Sequence, residues 1–199
     1  MNFDSYTDRG VQAAAELANQ LTESWAQGAF RALPSGGGPR RKLAAAVETS
    51  IWGRSGDLST GDAEGLIRLA TQLRLIFQTL ASGELDSTAQ LVNALLQKHH
   101  AAPQLATHDG EPWHLHFHSQ EKEAGRAEAR GATCATALAT VIGSGGAWRL
   151  GTCRANRCDQ VFVDTSKNGR RRFCSPRCLS RDKVARFRAR HQAGTLGEE

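Results

Sequence analysis

The first half of the chain is written in helical rhythm. Across residues 8–32, Val11, Ala14, Ala15, Ala18, Leu21, Trp25 and Ala29 recur at steps of three and four, which predicts one helix over that stretch. The run from Pro34 to Pro39, with Gly36, Gly37 and Gly38 inside it, predicts a flexible break. Residues 43–52 form a second helical pattern, stopped by Gly53 and Gly56. A third and stronger one covers 62–81, with Leu66, Leu69, Ala70, Leu73, Phe77 and Leu80 on one stripe and Gly83 closing it. Ser87 is the expected cap of a fourth helix through residue 96, which carries Leu91 and Leu95.

The period then shortens from helix to strand. Residues 104–108 and 113–118 flank Asp109-Gly110, a hairpin turn signal, and Trp113, Leu115 and Phe117 alternate with His114, His116 and His118. A last helix of this part is predicted over 121–142, ending at Gly143, Gly145 and Gly146, a natural joint. No internal repeat is visible. The pattern predicts a mainly α protein with small β elements. A helical N-terminal domain with a β-hairpin occupies residues 1–146, a small hairpin-plus-helix module residues 147–192, and a flexible tail residues 193–199.

Composition narrows the setting. With 40% hydrophobic residues in 199, the chain can bury a core. It has no uninterrupted apolar run of the length that spans a bilayer. Its start, Met1-Asn2-Phe3-Asp4, lacks the basic and apolar regions of a secretion signal. The expectation is a cytoplasmic protein in a reducing compartment with no membrane association, where clustered cysteines favour metal over disulfides. Charge is uneven: residues 1–148 carry 12 Lys/Arg against 15 Asp/Glu, whereas residues 149–199 carry 13 against 5. A slightly acidic body thus bears a strongly basic end, which points to a polyanionic partner for that end.

The chemistry sits in the same basic segment. Cys153 and Cys158 form one short-spaced pair and Cys174 and Cys178 another, with fifteen residues between the pairs. Zinc takes four such thiolates at tetrahedral corners, and each pair can turn both sulfurs toward one point. Between the pairs, Val161, Phe162 and Val163 read as a strand, Asn168-Gly169 as a tight turn, and residues 170–173 as the returning strand of a hairpin. Ser175 and Pro176 then open a helix whose first turn holds Cys178. The alternative, four small buried thiols without a metal, is disfavoured by the paired spacing. Cys134, alone in an alanine-rich helix, reads as core packing. Four thiolates fill the coordination sphere, so the expected role of the metal is to hold a small module folded rather than to catalyse.

Around this frame stand Arg170, Arg171, Arg172, Arg177, Arg181, Lys183, Arg186, Arg188 and Arg190, which are the candidate DNA-binding residues. On a helix from residue 176 onward, Arg177, Arg181 and Arg188 share one stripe, and Lys183, Arg186 and Arg190 share another. Arginine rows beside a metal suit phosphate contacts or base reading, with Arg181 the expected base reader. A solvated basic helix without a partner, or one that meets an acidic protein, are the competing readings.

Residues 149–190 resemble the CGNR-type zinc finger. The matching residues are Cys153, Cys158, Phe162, Asp164, Thr165, Ser166, Arg171, Arg172, Phe173, Cys174, Ser175, Cys178, Arg181, Lys183 and Arg190. The body is similar to the ABATE domain that precedes such fingers, through Phe3-Asp4, Tyr6, Asp8, Leu17-Ala18-Asn19 and Leu73-Arg74. The resemblance implies a bacterial, stress-related transcription regulator with a zinc-dependent DNA-binding finger. The tetrad that names the family reads Cys178-Leu179-Ser180-Arg181 here, so its glycine and asparagine are replaced while the ligand and the arginine remain.

Other constellations are weaker. His114, His116 and His118 would share one strand face, with His99, His100 and His108 near in sequence, and either a second metal site or a plain polar strand face explains them. Asp62 with Glu64, and Glu121 with Glu123, read as charges at helix starts. No phosphate loop, dinucleotide fingerprint or nucleophile elbow is present. The expectation is therefore a non-enzymatic, zinc-containing DNA-binding regulator. A zinc module that docks an acidic protein is the rival, and a metal-dependent enzyme built on the histidine strand the more distant one. A small-molecule or protein partner for the helical domain is open, as is the oligomeric state.

Overall fold

The computed structural model describes residues 5–53, 56–107, 114–119 and 125–195. Three helices make the core: α1 (Ser5–Gln20), α3 (Thr60–Ala81) and α5 (Arg126–Gly143), packed pairwise on one another. α3 contributes Leu66, Leu69, Leu73, Ile76 and Phe77 to the buried face, α1 Val11, Leu17 and Ala18, with Leu21 just beyond its end, and α5 Leu138 and Val141. Small residues let the helices close up. A Cβ at Gly10 of α1 would lie 2.7 Å from the Ala137 methyl of α5, too close for any side chain. Two further helices, α2 (Gly37–Trp52) and α4 (Leu85–Lys98), flank this core. No helix among the described residues is long and apolar enough to cross a membrane.

Polar pins lock the outer helices. Glu48 of α2 is fully buried and takes Arg130 of α5 in a two-pronged pair, at 2.7 Å from Nη2 and 3.0 Å from Nε. Trp52 lies 4.1 Å from the same guanidinium and covers it. His99, at the end of α4, meets Glu128 of α5 at 3.1 Å.

Several expected boundaries move. The first helix does not reach residue 32 but ends at Gln20, where Thr22 Oγ1 turns back to the Ala18 carbonyl at 2.7 Å. Trp25 and Ala29 instead belong to a hairpin of β1 (Ser24–Ala26) and β2 (Ala29–Arg31). Its two-residue turn has φ of 54° at Gln27 and 101° at Gly28, the left-handed pair that a tight hairpin requires. The glycine-proline run is not a plain break either, because α2 begins within it at Gly37 and tolerates Pro39 in its first turn. α4 starts two residues before Ser87, which donates to Glu84 instead of capping. β3 (Ala101–Ala106) and β4 (His114–Ser119) pair antiparallel, Ala106 opposite His114 and Ala101 opposite Ser119. The expected Asp109-Gly110 turn and the stretch 121–124 of the expected last helix lie outside the described residues, and α5 begins at Arg126.

The C-terminal hairpin is also differently built. β6 (Val161–Val163) pairs with β5 (Leu150–Thr152), not with residues 170–173. The pair is docked on the body. Leu150, Val161 and Val163 are buried in the same core as α1 and α3, so the joint expected at residues 143–146 is a tight turn between packed parts. Its backbone is closed by hydrogen bonds from Gly145 to Ile142 and from Gly146 to Val141. Leu150 is buried in that core, whereas Trp148 stays 57% exposed. The last helix, α6 (Pro176–Thr195), runs three residues into the stretch expected as tail.

The Glu48–Arg130 pair gives a direct test of the packing. Replacing Glu48 by Ala strands a buried guanidinium and should lower the unfolding free energy by about 3 kcal/mol. Urea titration should show an earlier midpoint with an unchanged slope, and Arg130→Met added to Glu48→Ala should recover most of the loss.

Candidate metal centre and its basic helix

Two local structures bring the four cysteines together. Cys153 and Cys158 flank a knuckle between β5 and β6, closed by the Cys153 N–H donating to the Gln160 carbonyl at 2.9 Å. Arg157 holds a φ of 51° there, which lets the chain reverse within the knuckle. Cys174 precedes α6 and Cys178 sits in its first turn, where the Ser175 hydroxyl caps the helix by accepting from the Cys178 N–H at 3.3 Å.

The sulfurs fit a tetrahedral ion. All four lie within 4.8 Å of one another. Three of the edges measure 3.7 Å (Cys158 to Cys174), 3.7 Å (Cys174 to Cys178) and 3.6 Å (Cys178 to Cys158). Four sulfurs about 2.3 Å from a central zinc would be about 3.8 Å apart, and a disulfide would be far shorter. Backbone N–H groups point at two of them, from Cys174 to Cys153 Sγ at 3.4 Å and from Gln27 to Cys158 Sγ at 3.5 Å. Burial pushes the Cys153 and Cys174 thiols above the ordinary range, and the neighbouring sulfurs add to it. A divalent cation reverses both effects, since it is the counter-charge that deprotonated thiols require.

The sequence-predicted cations divide into two groups. Arg171, at the surface, and Arg181, half-buried, both commit their guanidinium groups to hydrogen bonds within the finger. Arg171 donates to the Phe173 carbonyl at 2.9 Å, to Val163 at 3.1 Å and to Cys174, and its guanidinium lies 4.9 Å from the Phe162 ring. Arg181 donates to the Asn156 carbonyl of the knuckle at 2.9 Å and lies against Gly28, where a Cβ would approach its Nη2 to 2.8 Å. The arginine of the tetrad is therefore a brace between α6, the knuckle and the β1–β2 turn. The remaining candidates, Arg170, Arg172, Arg177, Lys183, Arg186, Arg188 and Arg190, are exposed, and Arg186 makes an ion pair with Asp182 at 2.8 Å.

Residues without an obvious chemical signal hold this centre to the body. The Asn19 side chain accepts from the Val161 N–H and donates to its carbonyl, both at 2.9 Å, as a neighbouring strand would. Arg74 donates to Thr22 at 2.6 Å, to the Ala18 carbonyl at 3.0 Å and to the Asp159 carbonyl at 2.8 Å. Asp164, nearly fully buried, accepts from the Ser166 and Arg171 N–H groups at 2.9 and 2.8 Å. Burial works against its charge, yet these bonds and nearby Arg149 hold its carboxyl below the usual value. Cys134 is buried in the core, with its thiol pushed up to about 12 by burial, and takes no part in the site. His114, His116 and His118 take alternate positions on β4, opposite Ala106, Gln104 and Ala102. Among the described residues the four cysteines are the one cluster with metal-ligating geometry.

Metal analysis tests the centre directly. The purified protein should carry about one zinc per chain, and Cys174→Ser should remove it, while Cys134→Ser should leave the content unchanged.

Comparison with known proteins reaches the same segment. No curated protein matches the chain. Residues 149–191 match the family model of the CGNR zinc finger, which spans β5, the knuckle, all four cysteines and α6 as far as His191. The family match and the four-thiolate geometry together make the C-terminal segment a zinc-binding module.

Proposed function

We propose that the protein is a bacterial, cytoplasmic transcription regulator that binds DNA through α6, with the zinc module as the mount for that helix and the helical body as an ABATE-type domain. The observation that carries this reading is how α6 is held. Cys178 anchors its first turn and Arg181 braces the second, and every residue from Lys183 to Arg190 is exposed. That free stretch carries Lys183, Arg186, Arg188 and Arg190. At about 1.5 Å per residue, the part of the helix beyond the brace is about 20 Å long, enough to follow a groove of duplex DNA. Arg170 and Arg172, exposed just before the helix, would add phosphate contacts. The four thiolates leave no coordination position for a substrate, so catalysis at the metal forms no part of the proposal.

One observation favours a protein partner instead. Val184 and Phe187 are 49% and 55% exposed on the same helix, which would suit a groove on an acidic protein. Salt dependence and selectivity separate the two. Fragments selected from genomic DNA should bind with an affinity that falls steeply with salt. Arg188→Ala and Arg190→Ala should each reduce the slope of log affinity against log salt by about 1. Arg181→Ala should act differently, weakening zinc retention because it removes the brace. If the Arg188 and Arg190 substitutions leave DNA affinity unchanged in zinc-loaded protein, the free stretch of α6 is not a DNA surface.

A further inference from the structure

The four ligands are not equally sheltered. Cys153, Cys158 and Cys178 are 8%, 7% and 0% exposed, whereas Cys174 is only partly buried. It also lines a groove of about 690 Å³ between α1, the β1–β2 hairpin and the finger. Gln12, Glu16, Gln27, Arg31, Thr165 and Ser175 give that groove polar walls, so water and small polar solutes enter it. The Cys174 sulfur has two other ligands at 3.7 Å, Cys158 and Cys178. An accessible metal-ligating thiolate with a second thiolate in contact is the arrangement of a reactive and a resolving cysteine.

We propose that Cys174 is a peroxide-modified site, through which a hydroperoxide releases the zinc. The Cys174 thiolate attacks one peroxide oxygen, an S–O bond forms, the O–O bond breaks, and hydroxide leaves. The sulfur is oxidised by two electrons to a sulfenic acid and the peroxide is reduced. The thiolate of Cys158 or Cys178 then attacks that sulfur, the S–S bond forms, and the second oxygen leaves as hydroxide. Two thiolates and one hydrogen peroxide thus give one disulfide and two hydroxides. The two thiolates that remain are too few for a structural site, so the zinc departs. Cys134 in the same chain is the internal control, because it is fully buried and does not line the groove. That this would free α6 from its mount, and so regulate DNA binding, rests on the function proposed above; the chemistry at Cys174 does not.

The test uses the full zinc-loaded chain, dilute hydrogen peroxide, a sulfenic-acid trap with mass mapping, and a zinc-sensitive dye. The first trapped adduct should be on Cys174, and one zinc should appear per disulfide formed. Ala29→Trp, which fills the groove from the exposed strand β2, should slow both events several-fold with the zinc content of the untreated protein unchanged. The proposal fails if the first adduct is on Cys153, Cys158, Cys178 or Cys134. It also fails if zinc stays bound at peroxide levels that oxidise free cysteine, or if Ala29→Trp leaves the rates as they were. DNA binding is not among the readouts, so loss of the DNA reading and loss of this one remain distinguishable.

Discussion

Four sulfur atoms held within 4.8 Å of one another, three of them buried, can be thiolates together only around a cation. Everything at the C-terminal end hangs on that electrostatic constraint. The knuckle between β5 and β6 is short, and the segment before α6 has no ladder of its own. Its ties are single contacts, such as the Arg154 N–H to the Arg172 carbonyl at 3.0 Å and the Arg171 N–H to Asp164 at 2.8 Å. So few residues bury little apolar surface, and the ion supplies the cross-link that a larger core would otherwise provide. α6 in particular has its first turn fixed by Cys178 and its second by Arg181, and it projects from Lys183 onward.

The finger is nonetheless not an appendage. β6 is inserted where α1 offers a substitute strand edge in Asn19, and Arg74 ties three carbonyl or hydroxyl oxygens from both sides of the seam. The β1–β2 turn reaches the metal centre itself, through the Gln27 N–H on Cys158 Sγ and the Gly28 N–H on the Arg157 carbonyl. The body therefore contributes to the outer shell of the zinc, and the direction in which α6 leaves the molecule is set by contacts on both sides. Outer-shell groups of this kind orient the ligands and tune their basicity.

Much of this was legible in the residues, and the failures have physical causes. Cysteine spacing identifies all four ligands because a metal demands particular donors at close range, and the serine-proline start of α6 is equally local. The mainly helical body follows from the stripe of Leu66, Leu69, Leu73 and Phe77, whose period matches a buried face. The first hairpin is hidden because Trp25 and Ala29 happen to continue the helical spacing of α1, so that the Gln27-Gly28 turn goes unheard beneath it. The strand that pairs with β6 precedes the first cysteine rather than following the Asn168-Gly169 turn, and pairing across a metal knuckle leaves no mark in hydrophobic alternation. Arginines carry the same ambiguity. Nothing in composition separates Arg171 and Arg181, which brace the finger, from Arg188 and Arg190, which face solvent; only tertiary contacts do.

Zinc and the seam together make body and finger one rigid unit that presents α6. Backbone ¹⁵N relaxation on the zinc-loaded protein tests it most directly, because amides in a single unit share one tumbling time. α3, β5 and β6, and the first turn of α6 should share one correlation time, with faster motion confined to the far end of that helix. A distinctly shorter correlation time for β5 and β6 than for α3 would contradict it, for the finger would then move on a free joint.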